Sequence, residues 1–364
     1  MNTVRSFSNI LVTGGAGFIG SNFIRYLFDQ PDFKGNIINL DKLTYAGNLE
    51  SLKDITEQYE GNKYFFEKTD ISDKAALDIC FKKYKIDCVV HFAAESHVDR
   101  SITGPSEFIN TNIVGTFNLL EIARKHWLNK ERNIDQSYLF HHVSTDEVYG
   151  SLGDSGLFLE TTPYDPRSPY SASKASSDHI VSAYYHTYGL PITISNCSNN
   201  YGAYQFPEKL IPVMILNILE QKALPVYGNG ENIRDWLFVD DHCSGIWAVV
   251  SKGKLGETYN IGGDNEWTNI KLVNRLCEIL ADRKNRDKDD YKKLITYIKD
   301  RPGHDLRYAI NCEKIKKELG WKQSLTFSLG LETTVDWYLD NLEWVKHIQS
   351  GEYQKWMNQN YNMR

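Results

Sequence analysis

Tyr170 and Lys174 stand four residues apart, downstream of the consecutive run Thr145-Asp146-Glu147. On a helix that spacing puts both side chains on one face. A tyrosine titrates at about 10 in water, and a neighbouring ammonium favours its phenolate, which makes it a usable base nearer neutrality. One such base is enough to assist oxidation of an alcohol. A further acid and base beside it imply more than oxidation, and proton abstraction with loss of water is the obvious candidate. Two adjacent carboxylates in unlike environments can divide the acid and base roles between them. Elsewhere, carboxylates leaving a strand are more often turn formers, so the triplet takes its meaning from the pair that follows.

These residues need a scaffold. Short apolar runs at Asn9–Thr13, Asn36–Leu40, Tyr64–Lys68, Cys88–Phe92, Leu139–Ser144 and Ile192–Ser195 read as strands. Helical patterns occupy Ser21–Gln30, Asp73–Tyr84, Asn110–His126 and Ser171–Thr187. Strands alternating with helices predict βαβ units and a doubly wound, mostly parallel α/β sheet. Their continuous apolar character suits strands covered on both faces. After Asn199 the chain breaks into shorter pieces at Pro207, Pro212, Pro225 and Gly228-Asn229-Gly230. Trp236–Val239 and Thr258–Ile261 still read as strands and can return to the first sheet. The expected division is a domain over 1–198, which also receives about 232–262, and a smaller one formed mainly by 199–364. The charged stretch Asp282–Lys293 reads as a solvated loop or helix face.

Gly14-Gly15-Ala16-Gly17-Phe18-Ile19-Gly20 follows the first strand and opens a helical pattern. Glycines there permit a tight turn and let backbone amides approach a pyrophosphate at the helix N-terminus. The next run ends in Leu40-Asp41, about 20 residues on, where an acid can accept both ribose hydroxyls and repel a 2′-phosphate. NAD is therefore expected rather than NADP, and its positive nicotinamide ring adds to the pull on the Tyr170 proton. Asp70-Ile71 and Ala93-Ala94-Glu95-Ser96-His97 follow the third and fourth strands, at the ends where open α/β sheets bind ligands. His97 and His142, near strand ends, fit polar packing or substrate contact; no third ligand suggests a metal.

The chain has 364 residues, ordinary hydrophobic and charged fractions of 41% and 24%, and a net charge of −6. That charge gives no general attraction to nucleic acid. Six scattered cysteines without a C-x-x-C pair argue for reduced, mostly buried thiols. No signal pattern and no long apolar run occur, so a cytoplasmic protein away from membranes is expected.

Thr13-Gly14-x-x-Gly17-x-x-Gly20 with Tyr170-x-x-x-Lys174 resembles the extended short-chain dehydrogenase/reductases. Ser144-Thr145-Asp146-Glu147-Val148-Tyr149-Gly150 resembles, more narrowly, their dTDP-glucose 4,6-dehydratases. Supporting strings span most of the chain: Ala93 to Ser101, Ser198-Asn199-Asn200-Tyr201-Gly202, Phe206-Pro207-Glu208-Lys209-Leu210, Arg234-Asp235-Trp236 and Arg301-Pro302-Gly303-His304-Asp305. The resemblance implies a redox-neutral lyase reaction on the way to deoxysugars such as rhamnose. Tyr170, aided by Lys174, would take the 4-hydroxyl proton, with Thr145 hydrogen-bonded to the same oxygen. Glu147 would remove the C5 proton and Asp146 would protonate the departing 6-hydroxyl, while hydride goes to NAD from C4 and returns to C6.

The same resemblance extends the cofactor site. It takes in Gly14, Gly17, Phe18, Ile19 and Gly20, then Asp41, Lys42, Leu43 and Thr44, then Asp70, Ile71, Ala93, Ala94 and Ser96, and finally Thr111, Tyr170, Lys174 and Asn200. It assigns Ser96, His97, Thr145, Asn199, Lys209 and Leu210 to the nucleotide-sugar, together with Pro225, Tyr227, Arg234, Asn269, Arg301 and His304. It also implies a homodimer joined through the helices at Asn110–His126 and Ser171–Thr187. Two departures stand out: Ala203 where the family often has proline, and a short segment between Gly150 and Pro169. Rival readings are a nucleotide-sugar 4-epimerase or a dehydratase for another nucleotide, a decarboxylase of a nucleotide-linked uronic acid, and a non-catalytic NAD-binding regulator. An epimerase has no use for an acid and a base at C5 and C6, a decarboxylase needs a group that binds a C6 carboxylate, and a regulator of this kind commonly loses the Tyr/Lys pair.

Overall fold

The computed structural model describes residues 4–128, 137–300 and 304–348. Ile10, Leu11 and Val12 have no exposed surface at all. They lie in β1 (Asn9–Thr13), the middle of a seven-stranded parallel sheet. The other members are β2 (Asn36–Asp41), β3 (Tyr64–Lys68), β4 (Cys88–His91), β5 (Leu139–Thr145), β6 (Ile192–Cys197) and β10 (Thr258–Ile261). Their order is β10-β6-β5-β4-β1-β2-β3. The strand order reverses between β1 and β4, and open α/β sheets bind ligands beyond the carboxyl ends at such a point.

Successive β1 side chains point to opposite faces. Ile10 and Val12 join a core with Phe23, Ile24 and Leu27 of the helix Phe18–Phe28 and Ile246 and Val249 of the helix Val239–Lys252. Leu11 joins the opposite core, with Leu77 and Phe81 of the helix Lys74–Tyr84, Leu119 and Leu120 of Thr116–Trp127, and Val181 and Tyr184 of Pro169–Tyr188.

The remaining strands build smaller sheets. β7 (Asn199–Tyr201), β9 (Ile233–Phe238) and β11 (Glu266–Thr268) form one, in the order β11-β9-β7; β8 (Leu224–Tyr227) and β12 (Ile295–Ile298) form a parallel pair. A third core, including Ile215, Leu224, Leu276 and Val335, lies among them.

Two expectations need correcting. The expected strand Trp236–Val239 is the end of β9, which pairs with β7 and β11 and not with the central sheet; Val239 already starts a helix. The expected helix Asn110–His126 begins as a wide π-type turn, Ile109–Gly115, and becomes α-helical only at Thr116. The Thr116 hydroxyl donates to the Asn112 carbonyl at 2.6 Å, and such side-chain insertion into the helical ladder is a known cause of local distortion. Asp282–Lys293 spans a helix end and a short helix, Lys288–Lys292, with Tyr291 buried beneath it. All six cysteines are free and buried. Among the described residues no helix is long and apolar enough to cross a membrane.

Candidate active site

A cleft of about 360 Å³ opens over the carboxyl ends of β1, β2, β4 and β5. Its floor begins at the glycine turn. Gly14 has a φ of +71°, and a Cβ there would sit 2.7 Å from the Ala93 amide nitrogen. Gly20 brings the helix against the turn, since a Cβ would lie 2.3 Å from the Gly14 carbonyl oxygen. The turn therefore keeps backbone open to the cleft, with Gly14, Gly17, Phe18, Ile19 and Gly20 on its wall. Gly14→Ala is expected to cost at least about 1–3 kcal/mol through backbone strain alone, measured as a lower urea midpoint with an unchanged slope.

Asp41 ends β2 on the same wall, and its carboxylate accepts the amides of Ala16 at 3.0 Å and Leu43 at 2.8 Å. Burial pushes its pKa up against those two bonds. Lys42, Thr44, Ile71, Ala93, Ala94, Ser96 and Thr111 also line the cleft. Leu43 and Asp70 do not reach that wall: Leu43 ties the loop to Asp41, and Asp70 accepts the Ser72 amide at 2.8 Å with Lys42 3.5 Å away.

The carboxylates and the Tyr/Lys pair come together at the far end. β5 delivers Thr145, and a 3-10 turn, Asp146–Tyr149, follows it. Ser168 caps the helix Pro169–Tyr188 in a reciprocal capping box with Ser171, which sets Tyr170 in the first turn. Thr145, Asp146, Glu147, Tyr170 and Lys174 all line the cleft. The Thr145 hydroxyl accepts the Glu147 amide at 3.3 Å and lies 3.4 Å from Asp146 Oδ1. Asp146 is only 2% exposed, and burial first, then Glu147 and Asp235, push its pKa well above the usual carboxylate range. Tyr170 is likewise pushed up, by burial and then by Glu147, while a Thr145 hydrogen bond opposes this. Lys174 donates to the Val143 carbonyl at 2.9 Å and to His142 Nε2 at 3.2 Å. The Lys/Tyr arrangement in the chain alone therefore favours phenol, and the phenolate requires additional positive charge in the cleft.

Asn199, Asn200, Lys209 and Leu210 complete the wall, and Lys209 Nζ donates to the Ser96 carbonyl at 3.3 Å. A second group gathers outside that wall. Tyr227 donates to Asp99 at 3.2 Å and its ring lies 6.0 Å from that of His304. Arg234 Nη2 donates to the Asp305 carbonyl at 3.0 Å, and its guanidinium lies over Tyr308. The Asn269 amide donates to Asn232, whose side chain donates to the same Asp305 carbonyl. Pro225 lies in β8, ending at Tyr227, and buried His97 immediately precedes the helix Val98–Thr103 without a side-chain bond to its amides. Arg301 lies outside the described residues.

Residues 11–334 match the GDP-mannose 4,6 dehydratase family. A dTDP-glucose 4,6-dehydratase from Shigella flexneri is 55% identical over 366 aligned positions, covering 98% of this chain and 99% of its own. The chain belongs to the dTDP-glucose 4,6-dehydratase family. A solved dTDP-glucose 4,6-dehydratase from Bacillus anthracis, in complex with NAD, superposes with a TM-score of 0.82 at 48% identity, covering 94% of this chain and 99% of that one. Another from Streptomyces venezuelae, with NAD and TYD bound, gives 0.85 at 45% identity over 93% and 99%.

Two residues of this dTDP-glucose 4,6-dehydratase family member were missed in the sequence, Glu208 on the cleft wall and Asp235 next to the wall residue Trp236. Glu208 is 5% exposed on the cleft wall, held by the Tyr45 hydroxyl at 3.3 Å, with Arg100 3.9 Å away and burial pushing its pKa up. Asp235 accepts the amides of Gly263 and Asn265 and acts on Asp146 by its charge. Both lie inside strings that carry the family resemblance, which was the available signal. Ala203, the departure from proline, presents its carbonyl to Asn22 Nδ2 at 3.0 Å, so that loop is tied to the glycine-turn helix.

Proposed function

We propose that the chain binds NAD along the glycine turn and the ends of β2 and β4, and converts dTDP-glucose to dTDP-4-keto-6-deoxyglucose. The observation that carries this reading is the meeting of the buried Asp146, its pKa pushed up by burial and by Glu147, and the cleft-facing Glu147 with Tyr170 in one cleft. The glycine cradle and the Asp41 carboxylate fit a dinucleotide with free ribose hydroxyls. NAD bound there supplies the oxidant for C4 and then the reductant for C6, and its positive ring supplies the charge that Tyr170 needs.

The chain's own residues handle the protons. Tyr170 takes the 4-hydroxyl proton, with Thr145 bonded to the same oxygen. The 4-ketone acidifies C5–H, which Glu147 removes. Asp146 gives its proton to the departing 6-hydroxyl, so water leaves and C5=C6 forms; C5 then regains a proton as C6 is reduced. Lys209 and Leu210 at the cleft, with the Tyr227, Arg234, Asn269 and His304 group beyond it, receive the nucleotide diphosphate. In that role the region 199–364 binds the sugar nucleotide and 1–198 binds NAD.

We also read the protein as cytoplasmic and as a homodimer. Ile109, Val114 and Phe117 are 40–45% exposed on the turn and helix spanning 109–127, which supports pairing through that face.

Incubation with dTDP-, UDP-, CDP- and GDP-sugars in deuterated water tests the reading. Deuterium at C5 of a 6-deoxy-4-keto product, made fastest from the dTDP-sugar, is the expected result; a C4 epimer without C5 label rejects it. Asp146→Asn is expected to slow water loss about 10²–10⁴-fold while C5–H exchange with solvent continues, read by NMR of recovered substrate.

A further inference from the structure

The catalytic face of the helix Pro169–Tyr188 carries a third polar residue at the same spacing, for Asp178 follows Lys174 by four as Lys174 follows Tyr170. Asp178 is 2% exposed and His142 on β5 is completely buried, and no step above uses either. His142 Nε2 stands between the two helix residues, 3.2 Å from Lys174 Nζ and 3.1 Å from Asp178 Oδ1. Ser144 and Tyr164 donate to the other carboxylate oxygen at 2.8 and 2.9 Å, which favours its anion and fixes its plane.

One nitrogen cannot hold hydrogens for both neighbours. Lys174 donates to a neutral imidazole, and the Asp178 carboxylate, whose Oδ1 accepts no hydrogen bond from the described residues, counters the ammonium from behind. One positive charge is thus kept beside one carboxylate among almost fully buried groups, where burial works against an isolated ammonium. Two of the three Lys174 donors are spent on Val143 and His142, leaving one for the cleft. We propose that His142 and Asp178 are positioning residues of the reaction, keeping the Lys174 ammonium charged and oriented so that its field reaches Tyr170. This rests on the reading of Tyr170 as the base.

Burial lowers Lys174, and the Asp178 carboxylate opposes it; burial and the Lys174 charge together lower His142; Asp178 is raised by burial to about 6 even with Lys174, Ser144 and Tyr164 pulling it down. The other ionisable groups around the trio are His91, His179, Tyr149 and Tyr164, with Cys197, Asp146 and Glu147 on the Tyr170 side. The His91 ring lies 5.2 Å from that of His142 and bonds Thr13 and Thr116, and burial holds it neutral.

The test is Asp178→Asn in the full-length, NAD-loaded protein. The acid limb of the kcat–pH profile is expected to move up by about 1 unit or more, with KM for dTDP-glucose unchanged. The ultraviolet tyrosinate signal of the loaded protein, titrated without substrate, should move up in parallel, and Asp178→Glu should restore part of both. Tyr164→Phe, which removes a single donor, is expected to give a smaller shift in the same direction, and it decides the matter if Asp178→Asn does not fold. A fall in kcat with limb and tyrosinate signal unmoved, or a downward shift, overturns the proposal. Absence of any 6-deoxy-4-keto product from the unmodified protein would instead overturn the functional reading, because the tyrosinate titration needs no turnover.

Discussion

Tyr170→Phe is expected to lower the rate of ketone formation about 10²–10⁴-fold, the usual worth of a positioned general base. The substitution removes only a hydroxyl. The ring keeps its edge contact with Phe108, centroids 6.3 Å apart, so packing survives. The Thr145 hydrogen bond is lost, worth about 0.5–1.5 kcal/mol of stability, and thermal unfolding should therefore move little. Rapid-quench measurement of the first turnover checks this; a variant that forms ketone at the unmodified rate would remove Tyr170 from the mechanism. The sign of the pH dependence follows from the site. Burial and Glu147 push the phenol up, so ketone formation should fall as pH drops through the Tyr170 pKa of the NAD-loaded protein.

Glu147→Gln should split the reaction at the ketone. The amide keeps the shape and cannot accept the C5 proton, so net dehydration is expected to fall about 10²–10⁴-fold. Oxidation at C4 should persist in a single turnover, seen as nicotinamide absorbance that rises and stays. Exchange of C5–H with deuterated solvent should stop. A second effect has the opposite sign. Glu147 is among the charges that push both Tyr170 and Asp146 up, so its removal should move the acid limb of C4 oxidation to lower pH. Loss of NAD binding with no other change would contradict the role assigned to Glu147.

What was legible in the sequence was what is local. The buried β1 run, the glycine turn and the 170/174 spacing each declare themselves within a few residues. The triplet Thr145-Asp146-Glu147 could be placed because a strand ends there. The rest depends on partners far along the chain. β9 and β10 are both short apolar runs, and only pairing with β7 or with β6 decides their sheets. The wide turn at Ile109–Gly115 arises where Asn112 spends its side chain on Glu95 and on Ser173. Arg234 reads in the sequence as a diphosphate ligand, and only the fold shows that its guanidinium is also anchored on the Ile233 and Asp305 carbonyls. Asp178 does carry a local signal, its spacing from Lys174. Its meaning comes from His142, which a different element supplies.

The central sheet takes its edge strand late. β10 pairs with β6 only after the chain has left to build β7, β8 and β9, and the helix Val239–Lys252 packs against the glycine-turn side on its way back. The smaller sheets are thus interleaved with the central one, with β7, β8 and β9 before β10 and β11 and β12 after it. A chain cut after Ser198 would leave β6 as an unpaired edge and strip Ile246 and Val249 from the core beside Ile10 and Val12. Neither half can be exchanged between relatives at a single junction. A chimera that exchanges the smaller sheets needs at least three seams, before β7, between β9 and the helix Val239–Lys252, and after β10, with that helix and β10 kept from the parent that supplies the central sheet.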